Sequence, residues 1–154
     1  MPADTSPIVP DISQGRLIPV TVHFDELDAL GMLHNARYPL LVERAWLSLW
    51  QQEGFGFAGD WQAAGDASNV VKELRITYEL PVHDAGPHYA LHVWLERLGS
   101  TSLTHGFRFC AADGGVTHAV GTRTLIRVDP DTGRPMPWSE RLREVGRTLM
   151  RPSS

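Results

Sequence analysis

The stretch from Phe24 to Asn35 holds the side chains best suited to chemistry. Asp28 stands in a short loop a few residues ahead of the longest helical pattern in the chain. The first turn of a helix offers free N–H donors and the positive end of the helix dipole, which can hold a developing oxyanion. A carboxylate beside such a turn can attack a carbonyl carbon or activate a water molecule, and Gly31 would let the backbone approach a ligand closely. The residues alone equally allow Asp28 to form an Asx turn or to cap the helix.

A long apolar helix is predicted directly after this loop, from about Asn35 to Glu53. Apolar side chains recur there at helical spacing, at Tyr38, Leu41, Val42, Ala45 and Leu49, and others lie around the rest of the axis. A helix that is hydrophobic on most sides is buried on most sides. Pro39 falls just beyond the free donors of the first turn if Asn35 is the N-cap, so we expect a later start or an irregular first turn.

Five segments alternate between apolar and polar residues, which is typical of strands. One precedes the helix, at 17–24, and four follow it, at 70–80, 88–95, 103–111 and 116–128. Pro19 favours an edge position for the first strand. Consecutive strands with short turns pair antiparallel, so the sequence predicts an α+β domain in which a strongly curved, five-stranded antiparallel sheet wraps one long buried helix.

The ends of the chain differ from this central pattern. Residues 1–15 are rich in Pro, Asp, Ser and Gly and predict a flexible N-terminal arm. The folded domain is expected to span 16–138, and 139–154 to form a C-terminal helix and tail with Ser139 as the helix cap. A short helix near Trp61 is a further expectation.

The composition excludes several classes of protein. The chain has 154 residues, 42% of them hydrophobic and 21% charged, which is ordinary for one globular domain. A formal net charge of −4 argues against a dedicated nucleic-acid binder. There is no signal-peptide pattern and no apolar run of the roughly 18 residues that span a bilayer. A cytoplasmic protein without intrachain disulfides is therefore expected, since Cys110 is the only cysteine.

The loop and the start of the helix resemble a known family motif. They are similar to the 4-hydroxybenzoyl-CoA thioesterase branch of the hotdog superfamily, including its Tol-Pal-associated acyl-CoA thioesterase relatives. The matching positions are Phe24, Asp28, Gly31, Leu33 and Tyr38, followed by Glu43-Arg44-Ala45 on the helix. The segments 76–82, 98–103 and 124–135 resemble the family's later strands and turns, so the likeness covers residues 17–142.

This resemblance implies a hotdog fold and an acyl-CoA thioesterase. Asp28 would be the catalytic carboxylate, acting either as a nucleophile that forms a mixed anhydride or as a general base on water. The backbone N–H of Asn35 would hold the thioester oxygen, and His34 would line the same turn. Gly31 and Tyr38 are expected to contact the substrate.

Coenzyme A adds phosphates and a pantetheine arm to the predicted substrate. The turn that carries Arg97, Ser100, Thr101 and Ser102 offers a cation and three hydroxyls for phosphate binding, and Arg134 is a second candidate cation. No cofactor is expected, since CoA is part of the substrate. The resemblance also implies a homodimer or homotetramer, with the nucleotide at the surface and the acyl group between subunits.

Other readings of the sequence stay open beside this one. The family likeness also makes Glu43 on the helix a reserve candidate for the carboxylate, and an ion pair with a neighbouring arginine is the alternative role of Glu43. A non-catalytic acyl-CoA binding module, a thioesterase for acyl-carrier protein and a hotdog dehydratase are the alternative functions, the last disfavoured because Asp28 stands in the loop motif. No metal site is expected, because the histidines lack a metal-ligand motif. The acyl chain itself cannot be derived from the sequence.

Overall fold

A computed structural model describes residues 9–55 and 65–152, so the expected helix near Trp61 lies outside the described residues. Two α-helices and five β-strands occur in these ranges. They are β1 (Arg16–Val22), α1 (Tyr38–Gln52), β2 (Asn69–Tyr78), β3 (Gly86–Leu98), β4 (Ser102–Ala111), β5 (Thr117–Arg127) and α2 (Glu140–Leu149). Within these ranges, neither helix is long and apolar enough to cross a membrane.

The five strands form one antiparallel sheet in the order β1-β3-β4-β5-β2. The sheet curves around α1, and this arrangement is the predicted hotdog fold. Strands β1 and β2 are its edges, so Pro19 lies on an edge strand as expected. The side chains of β3 and β4 that face the helix are fully buried, including Leu91, Phe107 and Phe109.

Helix α1 begins three residues later than the predicted start at Asn35. Residues Asn35–Arg37 form a single 3-10 turn, and the α-helix starts at Tyr38 with Pro39 in its first turn. Pro39 explains the difference, because its missing N–H is tolerated only where no intrahelical bond is required. Seven residues of α1 are buried, including Leu41, Val42, Trp46 and Leu49, which agrees with the predicted apolar helix.

Residues 9–15 lie against the face of the sheet that is turned away from α1. The carbonyl oxygen of Gln14 lies 2.7 Å from Nε2 of His92 on β3. Gly15 has a φ of +73°, and a Cβ atom there would lie 2.1 Å from the carbonyl oxygen of Val93. Only glycine fits this conformation and this close approach. His92, Trp94 and Cys110 are fully buried on this face, and the chain's own N-terminal segment covers it at His92 and Trp94.

Helix α2 closes the far end of the sheet, where β3 turns into β4. The hydroxyl of Ser139 accepts a hydrogen bond from the N–H of Leu142 at 3.1 Å, which confirms its predicted role as N-cap. The same hydroxyl donates to Asp66 at 2.5 Å, and the Ser139 N–H donates to Asp66 at 2.9 Å. Asp66 thereby ties the start of α2 to the segment that leads into β2.

Strand β2 differs from the rest of the sheet because none of its residues is buried. It pairs with β5 along one side only, and its other edge has no neighbouring strand in the described ranges of the chain. Val70, Val71, Leu74 and Tyr78 expose between 36% and 50% of their surface. An edge strand with free backbone groups and exposed apolar side chains can pair with another chain.

Candidate active site

Asp28 forms a tight turn with its carboxylate folded over the following residues. One oxygen, Oδ1, accepts hydrogen bonds from the N–H groups of Leu30 at 2.8 Å and Met32 at 3.1 Å. The backbone closes the turn through the N–H of Gly31, which donates to the Asp28 carbonyl at 3.0 Å. Gly31 has a φ of +76°, so the turn requires a residue that tolerates the left-handed region. The Asx turn that the residues allowed is thus present.

The two oxygens of the Asp28 carboxylate differ in their surroundings, because the turn engages Oδ1. Among the described residues, no hydrogen bond involves Oδ2 of Asp28. The bonds to Oδ1 fix the direction of the side chain, and Asp28 lines an open cleft. A carboxylate that is held on one oxygen and free on the other is suited to act on a ligand in that cleft.

Glu26 stabilises the loop that carries Asp28 through its side chain and its backbone. Its side chain is buried, and its Oε1 accepts a hydrogen bond from the N–H of His23 at 2.9 Å. Its carbonyl oxygen accepts from the N–H of His34 at 3.0 Å. The far side of the loop is tied to the sheet end by the Leu33 N–H, which donates to the Val82 carbonyl at 2.8 Å. These bonds hold both ends of the segment that carries Asp28.

The turn that leads into α1 presents an unused donor. His34 caps it, because its Nδ1 accepts a hydrogen bond from the N–H of Ala36 at 3.0 Å. The side chain of His34 is exposed. Within the described part of the chain, no acceptor engages the backbone N–H of Asn35. This free N–H is the kind of group that stabilises an oxyanion.

Asp28 and Asn35 share one cleft of about 370 Å³ at the N-terminal end of α1. Its other lining residues come from the loop, from the start of α1 and from the end of β2, and include Tyr38, Tyr78 and Leu80. The rings of Tyr38 and Tyr78 meet edge to face, with their centroids 5.0 Å apart. Burial and the neighbouring phenols of Tyr78 and Tyr89 raise the pKa of Tyr38 to about 12, so the Tyr38 hydroxyl stays neutral.

The structure brings five of the predicted site residues together and holds the other five apart from them. Asp28, Gly31, His34, Asn35 and Tyr38 gather at one end of the sheet. Arg97, Ser100, Thr101, Ser102 and Arg134 gather at the opposite end, where the Thr101 carbonyl accepts from Arg127 and the Arg134 carbonyl accepts from Asp129. Phe109, which packs on Tyr38, is seven residues from Ser102 along β4, about 23 Å at the rise of a strand.

The distant group contains a cation that the sequence analysis missed. Nη2 of Arg143, on α2, donates to the carbonyl and hydroxyl oxygens of Ser100 at 3.1 and 3.3 Å. Nη2 of Arg97 donates to the hydroxyl of Ser102 at 3.2 Å. An exposed arginine, Arg97, and a half-buried one, Arg143, thus flank one turn. Sequence spacing could not pair them, because 46 residues separate Arg97 from Arg143 and only the docking of α2 brings them together.

Glu43, the reserve candidate, makes an ion pair and does not line the cleft of Asp28. Its Oε1 lies 3.5 Å from Nη2 of Arg123, a nearly buried side chain on β5. Across the sheet, His105 is opposite Arg123 on β4 and is completely buried. Its ring stacks on that of Trp46, with centroids 4.1 Å apart. Burial, followed by the positive charge of Arg123, holds the pKa of His105 well below 6.5.

Within residues 9–55 and 65–152, no three side chains of His, Cys, Asp or Glu gather as a metal site would require.

Comparison with known proteins identifies the family. The model of the thioesterase-like superfamily matches residues 22–146, which is most of the chain and includes the whole cleft. The chain belongs to the thioesterase-like superfamily. The curated relative YneP of Bacillus subtilis (strain 168), a candidate acyl-CoA thioesterase, is similar to this chain. It is 26% identical over 117 residues, which cover 76% of this chain and 82% of YneP.

Solved structures agree with this membership. A thioesterase from Thermus thermophilus, crystallised with coenzyme A and Zn, is 27% identical with a TM-score of 0.66, covering 86% of this chain and 92% of its own. The PA5185 protein of Pseudomonas aeruginosa PAO1 is 19% identical with a TM-score of 0.76, covering 92% of this chain and 95% of its own. At that identity, PA5185 supports the fold alone.

Proposed function

We propose that this protein is an acyl-CoA thioesterase, which hydrolyses a thioester to a free carboxylic acid and CoA. The observation that carries the proposal is the cleft that Asp28 shares with the unengaged N–H of Asn35. Membership of the thioesterase-like superfamily supports the reaction, and the CoA complex of the Thermus thermophilus thioesterase supports the class of substrate. The motif from Phe24 to Tyr38 supports a place in the 4-hydroxybenzoyl-CoA thioesterase branch.

The reaction needs a nucleophile and a group that stabilises negative charge. In one route, the Asp28 carboxylate takes a proton from water, the hydroxide oxygen bonds to the thioester carbon, and the C–S bond breaks to release the CoA thiolate. In the other route, a carboxylate oxygen of Asp28 attacks the carbon directly, and the C–S bond breaks to release the CoA thiolate. Water then hydrolyses the mixed anhydride to the carboxylic acid and regenerates Asp28. Both routes place negative charge on the thioester oxygen, where the Asn35 N–H would donate a hydrogen bond.

A second copy of the chain would complete the site. The candidate phosphate-binding turn with Arg97, Ser100, Thr101, Ser102 and the added Arg143 lies at the opposite end of the sheet from the cleft of its own chain. Antiparallel pairing of two β2 strands would set the Asn69 end of one against the Tyr78 end of the other. Asn69 is paired with Arg127, whose N–H donates to Thr101, so this turn would approach the partner's cleft. The edge position of β2 and its exposed side chains support such a dimer. Arg134 would lie at the same end of the sheet as the candidate phosphate-binding turn.

The decisive experiment compares the wild-type protein with Asp28→Asn. Asparagine keeps an Oδ1 that can accept the bonds from Leu30 and Met32, so the turn survives while the charge is removed. We expect kcat for acyl-CoA hydrolysis to fall by on the order of a hundredfold or more. The measurement is CoA release from short aliphatic, long aliphatic and aromatic acyl-CoAs, whose rates would also define the preferred acyl chain.

Asp113→Asn is the matched control. Asp113 also folds its carboxylate onto a backbone N–H, that of Gly115 at 2.8 Å, but in the turn between β4 and β5 away from the cleft. This variant should keep wild-type activity. If the wild type binds CoA esters but hydrolyses none, the acyl-CoA proposal fails, and acyl-carrier-protein thioesters become the next substrates to test before a binding module is accepted. The cytoplasmic location predicted from the sequence stays a prediction.

A further inference from the structure

Tyr78 joins the edge of the sheet to the turn that carries the free N–H. It is the last residue of β2, and its hydroxyl donates a hydrogen bond to the carbonyl oxygen of Asn35 at 2.9 Å. The two residues are 43 positions apart in the chain. The ring of Tyr78 also packs edge to face on Tyr38, the first residue of α1. One side chain thus contacts both ends of the segment that begins the helix.

The turn has few other connections to the sheet. The bonds of Ala36 and Arg37 to His34 all lie within the turn itself. In the parts of the chain that the structure describes, the Tyr78 hydroxyl makes the one hydrogen bond from residues 35–37 to a strand. A single 3-10 turn has poorer hydrogen-bond geometry than an α-helix, so its orientation depends on such an external bond.

The position of this turn matters because oxyanion donors act through pre-organisation. A donor must be held within about 0.5 Å of its productive position. A misplacement of about 1 Å near reacting groups can reduce the rate by on the order of a hundredfold. A bond to the Asn35 carbonyl restrains the same residue whose N–H is offered to the cleft.

We propose that Tyr78 is a positioning residue for hydrolysis: its hydroxyl holds the Asn35 turn so that the Asn35 N–H points at the thioester oxygen. This inference rests on the proposed acyl-CoA thioesterase function. Tyr78 itself transfers no proton and forms no covalent bond in this role. Its contribution is made to the transition state, where the charge on the oxygen is greatest, and hardly to the binding of the ground-state thioester.

The test is Tyr78→Phe in the full-length chain, which keeps the ring on Tyr38 and removes only the hydroxyl. For the acyl-CoA that the wild type hydrolyses best, we expect kcat to fall by about tenfold or more, with KM changed by less than about twofold. A residue that only stabilised the fold would not lower kcat while leaving KM nearly unchanged. Unfolding in urea, measured on the same samples, gives the loss of stability separately.

Tyr89→Phe is the matched control, because the Tyr89 hydroxyl also donates to a backbone carbonyl, that of Asp84, at 2.8 Å. Tyr89 does not line the cleft. This variant should lose a similar amount of stability and keep the wild-type kcat. The inference is overturned if Tyr78→Phe has the wild-type kcat, if its KM rises as much as its kcat falls, or if both variants lose activity equally. A wild type without thioesterase activity would instead refute the proposed function, and this inference with it.

Discussion

At the scale of single residues, His105 is a polar side chain that is completely buried. Neither ring nitrogen of His105 has a hydrogen-bond partner among the described residues, although the ring is fully buried between Trp46 and β4. Its pKa is lowered by burial and by the charge of Arg123, which is itself paired with Glu43. Below the ordinary pKa of 6.5, the unfolded chain therefore takes up a proton that the folded chain does not.

This difference in proton uptake predicts a loss of stability in mild acid. The free energy of unfolding should fall as the pH drops through about 6.5, with His105 contributing a slope of up to about 1.4 kcal/mol per pH unit. His105→Phe keeps a flat ring against Trp46 and should remove that part of the slope, while buried His92, whose pKa is also lowered by burial, leaves a remainder. Urea unfolding of both proteins at several pH values between about 7 and 5 measures the slope of the free energy of unfolding against pH. Equal slopes for both proteins would contradict the prediction.

The sequence revealed more about residue types than about their partners. Asp28 and Asn35 could be chosen because a local motif places both around one helix start. An ion pair for Glu43 could be foreseen, but its partner Arg123 could not, and neither could the bond from Tyr78 to Asn35, since both join residues that are distant in the chain. His105 was hidden by its position in an alternating strand, where a histidine on the apolar face gives no local signal of being fully buried.

At the scale of elements, helix α2 depends on one serine at its first turn. Ser139→Ala would remove the cap on Leu142 and the hydroxyl bond to Asp66, leaving only the Ser139 N–H on that carboxylate. Loss of a cap costs about 1 kcal/mol, and the lost bond to Asp66 adds to it. We expect a clear fall in the urea midpoint with an unchanged slope. Ser48→Ala, which loses only a long contact of 3.5 Å with Gln52, should stay close to wild type.

The elements themselves were largely predictable, and their ends were not. Alternation in 70–80 and 103–111 predicts β2 and β4 because a strand places successive side chains on opposite faces. The exposure of β2 on both faces did not follow from that pattern, since its apolar positions look like those of a covered strand. The start of α1 at Tyr38 was also uncertain, because Pro39 tells only where a helix can begin and not how the preceding turn is built.

At the scale of the whole molecule, the uncovered edge of β2 predicts an assembly through that strand. Val71→Glu would place a carboxylate within an apolar contact between two copies, where burying an unpaired charge is costly. We expect this variant to sediment as a monomer and to lose most of its activity, because the partner's turn would no longer reach the cleft. Val116→Glu is the control: both valines expose 50% of their surface, but Val116 lies in the turn between β4 and β5. Dimers of Val71→Glu with full activity would rule out this interface.

The covering of the outer sheet face by residues 9–15 has a practical consequence for the measurements of CoA release. Cys110 lies on that face and is fully buried, and burial raises the pKa of its thiol. It is the chain's only cysteine, so the folded protein offers no reactive sulfur to a disulfide dye. Colour that develops in such an assay then comes from released CoA alone. A slow reaction of the dye with Cys110 in the absence of substrate would report unfolding of the sheet. Cys110 therefore shows whether the sample stays folded during the assay.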